Sequence, residues 1–318
     1  MQPIVNGYDL SKRLISATWS GSVKQCCRQL DLTVAASTSA PGFALPDLPP
    51  WSAAEARQDG NLLFQGKLVY RKRDGEDSPV GLRCLDYGLY LTNNEGWYSF
   101  ACTPEQSVRQ ICADYQLTAG SLAATGIKVE RKFSGKKLHQ IIYDMYTKAS
   151  EQTGKKYVLR VDGKQVSVAE KPGTASIVLA PRVNIRNSSI TEDGTNCCNT
   201  VVIYDETGKA LRTLGGWDEA QGLLQRAVIQ RDGEDAGAEA KTMLEDGVEQ
   251  QTVTVEVDGN PALVSGQAVI VRETTAGVSG LFWIDSDTHT WKDGDYKTRL
   301  SLNFRNIMNE VSTGTEVK

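Results

Sequence analysis

The sequence predicts an α+β fold that is predominantly β: short-stranded β regions of small barrel or sandwich type, read as a duplicated β-barrel with one copy on each side of a small helix-helix-hairpin module, and a short helical insertion. Three observations predict it. Short runs of alternating apolar and polar residues with turn residues between them fill the N-terminal third and recur after Asn199. From Thr103 the apolar period changes from two to about 3.6 over two segments. A strand opening at residues 62–66, Leu-Leu-Phe-Gln-Gly, is echoed at residues 280–284, Gly-Leu-Phe-Trp-Ile. The echo is short, and chance similarity between strands produces such pairs at least as readily.

The elements follow in order. Residues 13–20 form a first strand. In a second, Cys26, Arg28, Leu30, Leu32 and Val34 alternate with Cys27, Gln29, Asp31 and Thr33. Residues 37–50 make a Pro/Ser-rich connection ending in Pro49-Pro50. Asp59-Gly60 turns a hairpin between residues 54–58 and 62–71, and residues 82–92 are read as a further strand. Thr103-Pro104-Glu105-Gln106 then starts a helix, with Thr as N-cap, Pro in the first turn and Gln three residues on. Val108, Ile111, Cys112 and Tyr115 continue at helical spacing. A second helix carries Leu138, Ile141, Ile142, Met145, Tyr146 and Ala149 on one stripe and stops at Gly154. Residues 157–161 and 165–169 make a hairpin turned at Asp162-Gly163. Strands over 199–205 and 223–230 precede a short helix at 235–244 closed by Gly247. Val253, Val255 and Val257 alternate with polar residues, and residues 266–272 form another strand. The last hairpin runs through residues 280–304. Asp293-Gly294 supplies its turn, and Leu281, Trp283 and Asp285 fall on the face opposite Phe282, Ile284 and Ser286. The implied domains are a first β-barrel at 1–102, an α+β module at 103–175, a second β-barrel at 176–312 with a helical insertion near 234–247, and a flexible tail at 313–318.

Size and composition bound the function. The chain has 318 residues, 40% of them apolar, enough for two or three domains with real cores. Its apolar runs are far shorter than the ~20 residues of a membrane helix. Neither a basic region nor an apolar core follows Met1, so no signal peptide is expected and the protein is expected to be kept or assembled in a cytosol. With 35 basic and 39 acidic residues the net charge is −4, a poor balance for gripping a phosphate backbone. Seven cysteines, an odd number in a large unsecreted chain, argue against a disulfide framework.

The candidate chemistry is sparse. His139 lies beside Leu138, at the apolar edge of its helix. His289 closes the run Asp285-Ser286-Asp287-Thr288-His289, which holds the residue types of a Ser-His-Asp triad. In a strand, however, Asp285, Asp287 and His289 share one side and Ser286 and Thr288 the other, so nucleophile and base are out of reach. The three same-face residues could converge on a metal, but a solvent-exposed polar face is the simpler expectation. Cys26-Cys27 and Cys197-Cys198 lack the two-residue gap of a metal or redox motif and read as small apolar residues pointing to opposite strand faces. Residues 120–126 carry neither a phosphate-loop lysine nor a dinucleotide fingerprint. Arg71-Lys72-Arg73, followed by Asp74, Glu76 and Asp77, reads as a solvated hairpin tip. Lys136-Lys137 and Lys155-Lys156 flank the second helix without forming a basic stripe. No catalytic, cofactor-binding or metal-binding residue is assigned.

The C-terminal hairpin, residues 280–304, closely resembles the end of the XkdQ/YqbQ family, tail hub proteins of contractile-tailed phages and defective prophages. Further segments resemble the family in order along nearly the whole chain. They are Ser16-Ala17-Thr18-Trp19-Ser20-Gly21 with Arg28-Gln29-Leu30-Asp31-Leu32; Leu63-Phe64-Gln65-Gly66; Leu85-Asp86-Tyr87-Gly88-Leu89-Tyr90-Leu91; Thr103-Pro104-Glu105 with Ile111-Cys112; Arg131-Lys132-Phe133; Thr153-Gly154-Lys155-Lys156-Tyr157; and Ala238-Glu239-Ala240-Lys241-Thr242-Met243-Leu244.

The resemblance implies a non-enzymatic structural hub, related to myophage baseplate hubs and gene D-type late control proteins. In these relatives two barrels per chain, in three chains, give six quasi-equivalent barrels between a hexameric tail tube and a threefold spike. The implied partners are two further copies of the chain in a homotrimer, the tail tube protein and the central spike protein, with tape measure and other baseplate proteins as further candidates. DNA would pass through the channel without specific binding. No cofactor and no membrane insertion are implied, and the expected location is a virion or tail-like particle assembled in the bacterial cytoplasm. The family offers no catalytic residues to carry over. Two alternatives stay open: a tail-associated peptidoglycan hydrolase, and a cell-wall-binding module of roughly LysM-like size at residues 103–172.

Overall fold

The structure, a computed structural model, describes residues 1–75, 77–230, 236–248, 250–273 and 278–315. Two compact units divide the chain. Residues 1–188 and 254–318 make the larger one, and residues 189–253 the smaller.

The larger unit starts with an antiparallel sheet. Its strands are β1 (Gln2–Val5), β2 (Tyr8–Asp9), β3 (Leu14–Ser22), β4 (Gln29–Val34), β5 (Ala53–Gln58), β6 (Asn61–Arg73) and β7 (Val80–Asp86). They lie in the order β2-β1-β5-β6-β7-β4-β3. Asp59 and Gly60, at φ 51° and 82°, form the left-handed pair that lets β5 and β6 turn in two residues. The alternation expected in β4 is realised: Leu30, Leu32 and Val34 are buried beside Trp19, Phe64, Leu68, Leu82 and Cys84.

The strand expected over residues 82–92 ends earlier, at Asp86, and residues Leu89–Asn93 form a short helix, α1. Asp86 Oδ1 accepts the Gly88 N–H at 2.8 Å, which turns the chain. A Cβ at Gly88 would stand 2.4 Å from the Cys26 carbonyl oxygen, so only glycine fits there. Leu89 and Leu91, spaced like strand residues, are both buried by the helix, which is why alternation misread them.

A second layer follows: β8 (Glu95–Cys102), α2 (Pro104–Asp114), β9 (Thr118–Leu122), β10 (Val129–Lys137), α3 (Leu138–Thr153), β11 (Tyr157–Asp162) and β12 (Gln165–Glu170). The expected helix start is present, with Gln106 Oε1 accepting the Thr103 N–H at 3.1 Å. Gly154, at φ 71°, ends α3 in the left-handed conformation. β8 pairs with β10, while β12 lies between β11 and β9. Val108, Ile111, Cys112, Ile141, Ile142, Met145 and Tyr146 pack on Phe100 and Phe133 in one core. β10 escapes a reading by apolar alternation because Arg131 occupies a buried position in phase with Val129 and Phe133.

The chain then returns to the large sheet through β13 (Ile177–Leu179) and β14 (Ile185–Asp193). In the smaller unit, β15 (Thr200–Tyr204) lies between antiparallel β16 (Ala210–Gly215) and parallel β17 (Gln225–Ile229). Helix α4 (Gly237–Asp246) falls within the insertion expected near 234–247, of which residues 234 and 235 lie outside the described residues. Ala236 and Ala240 pack against Cys198, Val201, Ile203 and Val228. β18 (Gln250–Asp258), β19 (Ala268–Glu273), β20 (Val278–Lys292) and β21 (Asp295–Asn303) complete the set.

β20 is the pivot of the large unit. On one edge, residues 278–283 pair with β19 and residues 286–292 pair with β3; β21 runs along the other edge. One strand therefore belongs to both β regions and joins them in a single 13-stranded sheet. The predominantly β, α+β class expected from the sequence is the class observed, as a curled half-barrel sheet with few helices. The two echoed strand openings lie in β6 and β20, and both bury their phenylalanine, Phe64 and Phe282.

The tail expected to be flexible from residue 313 is pinned at its first three residues. Asp144 Oδ2 accepts the N–H groups of Thr313 and Gly314 at 2.5 and 2.9 Å, and Thr315 makes a two-way bridge with Lys132. A buried carboxylate on α3 needs donors, and the chain terminus supplies them.

Candidate functional site

β20 is where the sequence concentrates its reactive residue types, and the structure builds a closed polar network there. Asp287 and His289 are 1% and 0% exposed, so the solvent-exposed face expected for them is overturned. β20 is flanked on both edges over this stretch, by β3 and β21, and the loop at residues 259–267 closes over it. Asp285 does not share their side. A bulge between Ile284 and Ser286 shifts the phase, and Asp285 instead accepts from Asn303 Nδ2 at 3.1 Å.

Both carboxylate oxygens of Asp287 and both ring nitrogens of His289 are engaged. Asp287 Oδ1 accepts from Arg28 Nη1 at 3.0 Å and from the Ser265 N–H at 2.6 Å; Oδ2 accepts from Arg28 Nη2. His289 Nε2 lies 3.2 Å from both Asp287 Oδ2 and the Leu263 carbonyl oxygen, two acceptors that place the proton on Nε2. Nδ1 then accepts, with the Thr298 hydroxyl at 3.1 Å and the Tyr296 hydroxyl at 3.0 Å. Burial alone would raise the Asp287 carboxyl, but hydrogen bonds from His289 and Arg28, with the Arg28 charge, outweigh it and hold the group down at about 2. Trp19 covers the pair, with the Arg28 guanidinium 4.0 Å above its ring and the His289 ring 4.8 Å away.

The arrangement ties strands together. Both imidazole nitrogens and both Asp287 oxygens are engaged inside the protein, while Ser286 and Thr288 lie on the other face of β20, as strand geometry dictates. Arg28, Ser265, Tyr296 and Thr298 escaped the sequence reading as network members. Arg28 did leave a signal, since it falls in phase with Leu30, Leu32 and Val34, and a charge in an apolar phase needs a buried counter-charge.

The remaining candidates separate. His139 Nδ1 meets the Leu91 carbonyl oxygen at 3.1 Å, and burial lowers its pKa. Cys26-Cys27 lies in the loop between β3 and β4, and Cys197-Cys198 before β15; neither pair stands in a strand as expected. Cys26, Cys84, Cys112 and Cys198 are buried among apolar neighbours, and burial, with Asp86 nearby, pushes the Cys26 and Cys27 thiols up. Lys72 and Arg73 are exposed at the end of β6. Among the described residues, no group of three or more His, Cys, Asp or Glu side chains is placed to hold a metal ion.

Beside the network a cavity of about 310 Å³ opens between β11, the loop at 259–267 and the start of β6. Leu62, Leu63, Val158, Val161 and Val264 form its apolar walls, with Trp19, Arg28 and Arg160 among them.

The YQBQ-like family model matches residues 17–303. The protein XkdQ of the phage-like element PBSX, from Bacillus subtilis (strain 168), is 24% identical over 269 residues, covering 79% of this chain and 81% of its own. Among solved structures, the 43 kDa tail protein of prophage MuSo2 from Shewanella oneidensis superposes with a TM-score of 0.71 at 13% identity, over 95% of this chain and 97% of that one. An E. coli component of the type VI secretion system, described as structurally similar to the T4 bacteriophage tail proteins gp27 and gp5, gives 0.53 at 10% identity, over 100% and 78%. With the matched region running from within β3 to the last residue of β21, and the fold shared with phage tail proteins, the chain belongs to the YQBQ-like family.

Proposed function

We propose that the protein is a structural hub of a contractile phage tail or tail-like particle, and that three copies form a pseudo-sixfold ring joining the tail tube to a central spike. The observation that carries this reading is β20, one 15-residue strand held in common by two β regions. A shared strand fixes the two regions beside each other at one angle, which is what a chain must do to contribute two quasi-equivalent segments to a ring. The likeness to a tail protein and to a type VI component compared with gp27 and gp5 supports the same reading. The saturated hydrogen bonding of His289 and Asp287 supports a role without catalysis.

Light scattering on the full chain, alone and mixed with the spike protein encoded in the same tail cluster, tests it. A species of three times 34.7 kDa alone, or a complex holding three copies in the mixture, is expected. A monomer in both samples sinks the proposal. So does clearing of a peptidoglycan suspension by the wild type that is lost in His289→Ala.

A further inference from the structure

The two-stranded ribbon of β8 and β10 packs one face into the core of the helical layer and turns the other to solvent, and that outer face carries Trp97. At 77% exposure its indole is the most open large apolar side chain among the described residues. The ring lies against Gly135, which sits at φ 59° in the bulge between Phe133 and Lys136. A Cβ at Gly135 would stand 3.6 Å from Trp97 Cζ2 and 3.8 Å from Cε2 and Nε1, so one side of the indole rests on the ribbon backbone and the other is open. Two cross-strand pairs bracket the ring, Glu95 with Lys137 and Ser99 with Lys132, each two positions along β8 from Trp97. Ser134 is exposed beside them on β10. Among the described residues, no ion pair or side-chain hydrogen bond within the protein engages Glu95, Ser99, Lys132, Ser134 or Lys137.

One flat apolar ring amid unspent donors and acceptors of both signs restricts the occupant. A protein partner needs an apolar core within an interface of ~1,000 Å² or more, and a single ring among hydrophilic neighbours does not supply it. A membrane surface favours several apolar side chains backed by basic ones, whereas here acidic and basic groups stand opposite each other. A sugar ring with equatorial hydroxyls does match. Its face of C–H bonds can lie on the indole while its hydroxyls reach donors and acceptors at the rim. A β-linkage is equatorial as well, so the next sugars continue flat along the ribbon over the two pairs. We propose that the outer face of β8 and β10 binds a β-linked glycan chain, with one sugar stacked on Trp97 and its neighbours held by Glu95 and Lys137 on one side and Ser99 and Lys132 on the other. The site lies within the larger unit and is independent of the hub reading.

The test uses the full-length protein with cellohexaose as the probe and maltohexaose as its α-linked match. Binding is read by calorimetry and by the indole N–H resonance of Trp97, assigned through Trp97→Phe. Cellohexaose is expected to bind at millimolar concentration, to shift that resonance, and to bind at least fivefold more tightly than maltohexaose. Trp97→Ala should weaken cellohexaose at least tenfold, with Trp97→Phe recovering part of the loss. Because the ring is exposed, Trp97→Ala should leave the melting temperature within about 2 °C of the wild type and the solution mass unchanged. The proposal is overturned if cellohexaose does not bind at millimolar concentration, if the two hexasaccharides bind alike, or if Trp97→Ala binds as the wild type does. It is also overturned if Trp97→Ala lowers the melting temperature further, which makes the ring structural, or breaks up an oligomer of the wild type, which puts a second copy of the chain over the ring.

Discussion

Arg28 and Asp287 stand 259 residues apart in the sequence and meet through two nitrogens and two oxygens, clamping the segment ahead of β4 to the middle of β20. Such a pair contributes little net stability when intact, but losing one partner leaves a desolvated charge. Asp287→Ala is therefore expected to cost about 3 kcal/mol, the low end of the usual range because the Arg28 side chain keeps 19% exposure. Asp287→Asn, which can still accept from the Ser265 N–H, should cost less. Urea denaturation of the two variants at pH 7 measures the difference, and equal, negligible losses would show that the clamp does not matter.

Two buried carboxylates predict a stability maximum in mild acid. Asp86 is raised to about 6, chiefly by burial, so the folded state binds its proton more tightly than the unfolded chain does. Stability from this group should rise as pH falls from about 7 towards about 4, and Asp86→Asn should flatten that rise. Asp287 is held at about 2, so its contribution is complete above the unfolded value near pH 4 and is lost as pH falls from there towards about 2. Melting temperatures between pH 2 and 8 check both limbs, and a wild-type curve flat from pH 7 to 5 contradicts the first.

The C-terminal segment is a strap fastened by Asp144. Besides the Thr313 and Gly314 N–H groups, Asp144 accepts from Arg131 Nε at 3.0 Å and Nη2 at 3.2 Å, at 0% exposure. Arg131 in turn donates to the Gly314 carbonyl oxygen at 2.6 Å, and Met308 enters the core of the helical layer. Asp144→Ala should release residues 305–315 and cost about 3–5 kcal/mol. Limited proteolysis followed by mass spectrometry should show new early cuts there; an unchanged cleavage pattern would refute the fastening.

Gly66 marks a backbone approach that tolerates no side chain. A Cβ there would lie 2.0 Å from the Leu85 carbonyl oxygen, so β6 and β7 must separate to admit one. Gly66→Ala is expected to lower stability by about 2 kcal/mol or more, whereas Gly81→Ala on β7, with open space around its Cβ position, should stay within about 1 kcal/mol. Thermal unfolding of the pair makes the comparison.

Local chemistry made much of this molecule legible in the sequence. Asp59-Gly60 and Asp293-Gly294 dictate two-residue turns because their φ values are positive in any context that closes a hairpin. Thr103 to Gln106 caps a helix through contacts three residues apart, and Leu30, Leu32 and Val34 declare a buried face through alternation. Pairing across long separations was decided only in three dimensions: β3 with β20, β8 with β10, and Asp144 with the chain terminus. The same holds for the burial of Asp287 and His289. A strand written alone shows which residues share a face, but whether that face meets water depends on what the rest of the chain lays over it. Here Arg28, Trp19 and the loop at 259–267 do so, and no periodicity on β20 encodes them.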